Sequence, residues 1–402
     1  MIIELILALI IGVLAGTFTG LLPGIHINLV GAILLGISAS LLQLVSPLTL
    51  VIFIVSMAIT HTFIDFIPSI FLGAPDEDSI LSVLPGHQLL LKGKGYEAII
   101  LTLYGGLTAL ILILIFTPLF ILILPKIYPY IQRIMWIILV LLSSYMILTE
   151  KDKKLWTLII FLLSGFLGIA SLNLNLSQPL LPMLTVLFGA SGLLISIKQK
   201  TKIPEQKIIP TRKIKFTKTS FLNSTFASII ASPFTSFLPG LGSSQAALIG
   251  KEVAGDINER EFLFILGAIN TLVMGLSFVT LYAIEKTRTG AAVAVSELIP
   301  NLTLTNIFYI LTAIILSGIL SFLLAIKLSK SIAKIINKIN YSRISLVVLF
   351  ILIFFVLIFS GLLGFLVFII SASLGLTTIL LGIKRIHMMG CLLIPTILFY
   401  LL

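Results

Sequence analysis

The sequence predicts an all-α polytopic membrane protein made of two inverted repeats, each carrying a Pro-Gly-broken helical hairpin. Three observations predict it. Hydrophobic residues make up 59% of the chain and charged residues only 10%, with a mean hydropathy of +1.22, whereas soluble domains carry about 25% charged residues. The stretch Phe18-Thr19-Gly20-Leu21-Leu22-Pro23-Gly24 recurs as Phe234-Thr235-Ser236-Phe237-Leu238-Pro239-Gly240, with five of seven residues identical. The third is the gathering of Lys and Arg in alternate loops, which fixes how the two halves face.

The 402 residues leave room for roughly 10–14 membrane segments at ~20 apolar residues per crossing. Residues 3–20 run into the first break and 27–42 resume apolar character, so 3–44 can fold as a hairpin bent at Pro23-Gly24. Ser46-Pro47 makes a turn before a span at 48–64, which ends in Thr60-His61-Thr62-Phe63-Ile64-Asp65. A polar, Gly- and Pro-rich loop follows at 73–96, then spans at about 97–124, 130–149, 155–172 and 178–197. The basic connector 198–218 separates an N-terminal repeat, 1–197, from a C-terminal one, 219–402. In the second half, 220–249 holds the second break and 250–261 a polar turn. A span at 262–284 then precedes a loop at 285–303 that occupies the place of 73–96. Spans at 304–326, 344–360 and 361–383 and a short apolar segment at 389–402 complete the plan.

Charge sets the orientation. With 198–218 cytoplasmic and both bent segments returning to their own side, 22 of the 26 Lys and Arg fall inside, as the positive-inside rule expects. Lys126, Arg133, Lys286 and Arg288 are left outside. Loop 73–96 then faces inward and 285–303 outward, so the halves are inverted, the arrangement that supports alternating access. The net charge of +11 is spent on topology and on contacts with anionic lipids, and nucleic acid is not an expected partner. Cys391, the single cysteine, excludes an internal disulfide. The N-terminus lacks a basic leader and a small-residue cleavage site, so residues 1–20 read as a retained span.

The breaks are the first candidates for chemistry. Proline removes a backbone donor and glycine tolerates left-handed angles, and a broken helix in lipid must face protein or a water-filled cavity. New helices starting after each Pro-Gly would aim free N–H groups and a positive macrodipole end at an anion. The substrate-binding candidates are Thr19, Pro23, Gly24, His26 and Asn28 in the first half. Thr235, Pro239, Gly240, Gly242, Ser243 and Ser244 are those in the second. A kink that only serves helix packing is the plainer reading, and duplication with flanking identity argues for a binding site.

Asp65 is the sole carboxylate well inside an apolar span. Two readings stay open: a coupling site for H⁺ or Na⁺, or an interfacial acid at a helix end shortly before Pro68. His61, four residues earlier, shares its helix face, and Asn270-Thr271 occupies a comparable place in the second half, giving His61, Asp65, Asn270 and Thr271 as ion-coupling candidates. His87, Lys92 and Lys94 inside and Lys286 and Arg288 outside could draw anions into vestibules. Asp76, Glu77 and Asp78 lack calcium-loop spacing. No nucleophile motif, Walker loop or zinc spacing is present, so the chain is not expected to be an enzyme, and no metal or cofactor beyond a coupling H⁺ or Na⁺ is expected.

AGTFTGLLPG, FLGAPDEDSILSVLPGHQLLLKGKGYEA and SPFTSFLPGLGSSQAA resemble the large membrane subunit of tripartite tricarboxylate transporters over most of residues 10–290. The resemblance implies a secondary active carboxylate transporter of the prokaryotic cell membrane, working with a small membrane subunit and an extracytoplasmic binding protein. It carries the family's break residues onto Pro23, Gly24, Pro239, Gly240 and Gly242. Two departures stand out: Ile25-His26-Ile27-Asn28 replaces the common Leu-Gly-Pro after the first break, and the chain is shorter than is usual in the family. The leading expectation is therefore ion-coupled symport of a small organic anion. The alternative is translocation of a polyprenyl phosphate, its phosphate at the same breaks. An intramembrane enzyme acting on a lipid phosphate is the third and weakest reading. The plan leaves room for a homodimer.

Overall fold

The computed structural model describes residues 2–22, 30–31, 42–73, 83–150, 153–176, 178–199, 203–214, 216–237, 242–255, 257–287, 289–338 and 341–402. All regular structure in them is helical: α1 Ile2–Leu21, α2 Pro47–Leu72, α3 Val83–Leu91, α4 Gly95–Arg133, α5 Met135–Leu148, α6 Lys154–Asn173 and α7 at 180–199 in the first half. The second half has α8 Lys218–Phe237, α9 Ser243–Ala254, α10 Glu259–Ile284, α11 Gly290–Leu298, α12 Leu304–Ile335, α13 Tyr341–Leu380 and α14 Gly390–Leu401. Among the described residues, seven helices are long and apolar enough to cross a membrane and three shorter ones are apolar. The protein is thus a multi-pass membrane protein.

Helix starts follow local chemistry. Ser46 caps α2 by accepting the Thr49 N–H, with Pro47 in the first turn, where its missing donor does no harm. Asn258 and Glu261 form a reciprocal capping box at the start of α10. Gly73 ends α2 in a left-handed conformation. Four segments differ from the sequence expectation. The helix expected to stop at 64 bends at Asp65 and continues through Pro68 to Leu72, the Asp65 N–H donating to His61 O and the Ser69 N–H to Asp65 O. Helix α4 runs unbroken through Pro118, Pro125 and Pro129 to Arg133, past the boundary expected between the spans 97–124 and 130–149. Both loops read as polar linkers, 73–96 and 285–303, contain a nine-residue helix, α3 and α11. Gly361, at φ 61° and ψ −161°, breaks α13 into two helices, as the expected spans at 344–360 and 361–383 require.

The order long helix, short helix, longer helix occurs in each half: α2, α3, α4 and α10, α11, α12. Equivalent members run antiparallel. Leu110 of α4 lies at Gly318 of α12 and Tyr104 stacks on Phe322, so residue numbers rise along one helix as they fall along the other. Helices α4 and α10 run parallel, with Gly105 at Phe264, Gly106 at Thr271 and Ile113 at Gly275. Because α2 turns back through α3 into α4, with Phe71 against Gly95 and Ile70 against Gly86, it opposes both α4 and α10. That is the geometry of an inverted repeat.

Lipid gives no hydrophobic drive between helices, so close approach through small residues holds them. Gly12, Gly16 and Gly20 line α1 where it meets α2: a Cβ on Gly12 would lie 2.6 Å from Phe53 O and one on Gly20 2.8 Å from Ile64 Cβ. Helices α2 and α10 are almost wholly buried, while the other five long ones leave over half of their residues outside the core. The repeat-related pair is the centre of the molecule.

The basic turns converge on one end. Lys92 pairs with Glu259 at 3.4 Å and Arg260 with Glu97 at 2.6 Å. In the connector, Gln206 accepts the Gly95 N–H and donates to Leu90 O. Lys384 pairs with Glu150 at 2.9 Å, and His387 Nε2 lies 3.1 Å from the same carboxylate. Burial alone would raise the Glu150 carboxyl, but its bonds to Lys384 and His387 outweigh that and hold it below its usual range. A depressed carboxylate stabilises the fold above its unfolded value and stops doing so as pH falls through the folded one. The wild type is therefore expected to be more stable than Glu150→Gln near neutral pH. That difference should vanish as pH falls below about 4.5, read by thermal unfolding in detergent across pH 3–8. A difference that persists at pH 3 would remove the carboxylate from the account.

Candidate functional site

The candidate site is built where α1 ends against α2 and where α2 crosses α10. At a rise of ~1.5 Å per residue, Asn270 lies about 17 Å from one end of α10 and about 21 Å from the other, so the crossing is deep in the span. Asn270 Nδ2 donates to Asp65 Oδ2 at 3.0 Å and approaches Thr62 O at 3.4 Å. Thr62 and Thr271 share a hydroxyl hydrogen bond of 3.1 Å. Where α2 meets α1, Thr19 Oγ1 and His61 Nδ1 share a bond of 3.1 Å. Gly20 packs so closely that a Cβ there would lie 3.3 Å from the Asp65 nitrogen. Asp65 is 3% and Asn270 1% exposed, and Asn270 Oδ1 has no hydrogen-bond partner among the described residues.

All four ion-coupling candidates therefore lie in one polar band, and Thr19, a substrate candidate, touches it through His61. Asp65 caps the first part of α2 and the helix resumes at Phe66 and runs to Leu72, so the carboxyl lies within the span and not at its end. Sequence reasoning missed Ser321, whose hydroxyl donates to Thr60 Oγ1 at 2.8 Å. Ser317, Gly318 and Ser321 on one face of α12 were the available signal, since small polar residues at four-residue spacing mark a buried helix face.

The break candidates divide. Pro23, Gly24, His26, Asn28, Pro239 and Gly240 lie outside the described residues. Among the described residues beside the two motifs, α1 reaches Leu21, α8 is described as far as Phe237, and α9 starts at Ser243. Gly242 O accepts the Ala246 N–H in the first bond of α9. Thr235 and Ser243 are buried, the Thr235 hydroxyl donating to Ser232 O, and Ser244 is the second residue of α9. Helix α9 returns beside α10, with Gly250 against Ile265 and Ile269. Counting back seven residues, or about 10 Å, brings its N-terminus near the depth of Asn270.

The end of α1 and the start of α9, the described helix ends beside the two Pro-Gly motifs, thus lie at a similar buried level. Residues 6–390 match the tripartite tricarboxylate transporter TctA family. The chain belongs to the TctA family. It is also 30% identical over 406 residues to an uncharacterized protein of Methanocaldococcus jannaschii, covering 98% of this chain and 99% of that one. No solved structure matches it. Membership makes the chain a permease subunit of the tricarboxylate transporter type, and the TctA match takes in both breaks and every member of the polar band. In this TctA chain, the motif around the first break also supplies Gly16, Thr19 and Gly20 to the α1–α2 seam.

Proposed function

We propose that this TctA-family chain is a secondary active transporter of an organic anion of the di- or tricarboxylate class, driven by H⁺ or Na⁺. The anion is held at the two helix breaks and the coupling ion at Asp65. The observation that carries this reading is the buried Asp65–Asn270 bond between equivalent, antiparallel helices, next to the last turn of α1. A carboxyl deep in a membrane span is costly to hold ionised without a counter-charge, so it takes up and releases a proton or cation as the site opens to either side. Asn270 Oδ1, the Thr62 and Thr271 hydroxyls and the His61 ring offer further polar ligands. N–H groups left free by a helix start after each Pro-Gly would supply positive potential to an anion without a buried lysine. The chain works in the cell membrane of a prokaryote with a small membrane subunit and an extracytoplasmic binding protein.

The test pairs substrate affinity with stability in four single variants. Pro23→Ala and Pro239→Ala let a helix extend and consume N–H groups meant for the anion. Gly24→Leu and Gly240→Leu add a side chain at the expected approach and penalise left-handed angles by about 1–2 kcal/mol. All four are expected to lose citrate-class binding more than they lose thermal stability, with similar effects in the two halves. Normal affinity alongside lowered stability in all four would make the breaks mere kinks.

A further inference from the structure

The polar band leaves unused a cleft at the basic end, ≈ 600 Å³ in volume, between α5, α9 and the turn 384–387. Its walls are apolar: Leu142, Tyr145 and Met146 from α5, Ile249 and Val253 from α9, and Ile386 from the turn. Lys251 and Lys384 stand in the same lining, and both are exposed. Neither long wall crosses a hydrocarbon core of about 30 Å, since α5 is roughly 21 Å and α9 roughly 18 Å long. The cleft therefore opens within one leaflet, with an apolar floor and a cationic rim.

We propose that this cleft seats one anionic phospholipid, an acyl chain along the apolar floor and the phosphate at Lys251 and Lys384. The shape argues for a lipid over a free anion, which would meet the rim alone and leave the floor uncovered. Basic pockets between helices at the inner face bind anionic headgroups in this way. Lys384 is already paired with Glu150, and the ends of α5 and α9 carry partial negative charge, so the attraction rests chiefly on Lys251. That residue lies over the Phe262 ring at 5.9 Å and makes no ion pair among the described residues. Seated there, the lipid would touch α9, the arm that follows the second break.

The test uses the purified full-length protein in zwitterionic nanodiscs, titrated with phosphatidylglycerol, phosphatidylcholine or inorganic phosphate and read by native mass spectrometry and thermal stabilisation. Selective retention of phosphatidylglycerol is expected, with inorganic phosphate unable to displace it. Lys251→Gln should weaken it about fivefold, the loss expected for one lysine near an anionic headgroup. Val253→Trp should block the cleft and lower retention of the lipid, and Lys327→Gln, outside the cleft, should leave it unchanged. Equal retention of both lipids, displacement by inorganic phosphate, or unaltered binding in Lys251→Gln would each overturn the proposal. A cleft made for a helix of another membrane protein would give the first of these outcomes. Should Val253→Trp fail to fold, the exposed Lys251→Gln variant decides alone.

Discussion

Asp65→Asn is expected to abolish uptake driven by an imposed pH or sodium gradient while leaving the protein folded. The amide oxygen of the new side chain still accepts the Asn270 Nδ2–H that now reaches Asp65 Oδ2. Because one acceptor oxygen replaces another, the bond is kept and the change is expected to cost no more than about 1 kcal/mol. The amide cannot carry a proton and neutralises no cation, so the coupling step has nothing to act through. Substrate exchange between equal concentrations across proteoliposome membranes should survive, because it needs no net ion movement. Reconstituted variant and wild type compared under pH-only, sodium-only and gradient-free conditions separate these effects. Unchanged pH and sodium dependence in Asp65→Asn would leave the carboxyl a structural group only.

The second large effect is on folding. A Cβ at Gly267 would strike the Thr102 carbonyl, and one at Gly105 would strike the Phe264 carbonyl. These are backbone atoms of two long helices, which cannot turn aside as a side chain end can. Gly267→Leu must therefore push α4 off α10, and overpacking of this kind is expected to cost more than ~3 kcal/mol. Gly255 provides the contrast. It sits at φ 78° with nothing within 4 Å of an added Cβ, so Gly255→Leu incurs only left-handed strain of about 1–2 kcal/mol. Thermal unfolding and the yield of monodisperse protein should rank wild type, Gly255→Leu and Gly267→Leu in that order. Equal stability of the two variants would mean that α4 and α10 are not in close contact.

Much of the architecture was legible because apolar runs and basic turns are written directly in the chain. The spans at 155–172, 262–284 and 304–326 each correspond to a helix, and the charge bias matches the clustering of Lys92, Lys251, Arg260 and Lys384 at one end. What escaped the reading has physical causes. Prolines normally end helices in water, yet Pro68, Pro118, Pro125 and Pro129 all lie within helices here, because a membrane helix finds no better state for its backbone than helix. Pro68 is why a helix-end position for Asp65 stays open in the sequence beside the coupling reading. The likeness of Asn270-Thr271 to His61-Thr62 was read loosely along the sequence, whereas the structure pairs Asn270 with Asp65 and Thr271 with Thr62. Crossing helices choose partners by depth, which a linear alignment of two inverted halves does not preserve. Ser321 stayed hidden because the pattern of Ser317, Gly318 and Ser321 marks a buried face of α12 without saying which residue that face will meet.

The Asp65–Asn270 bond between the two halves spans 205 residues of chain, and a ribosome adding about 5–20 residues per second needs roughly 10–40 s to cover that distance. During that interval Asp65 is already made and its partner is not. The nascent first half must keep a carboxyl in or near the bilayer by protonating it or by sharing it with water, and Glu97 waits almost as long for Arg260. Biogenesis thus passes through a polar, unfinished intermediate that the mature protein never revisits. A lesion in Asn270 or Arg260 would then leave first-half helices exposed to membrane quality control, and be seen as low abundance before any transport is measured.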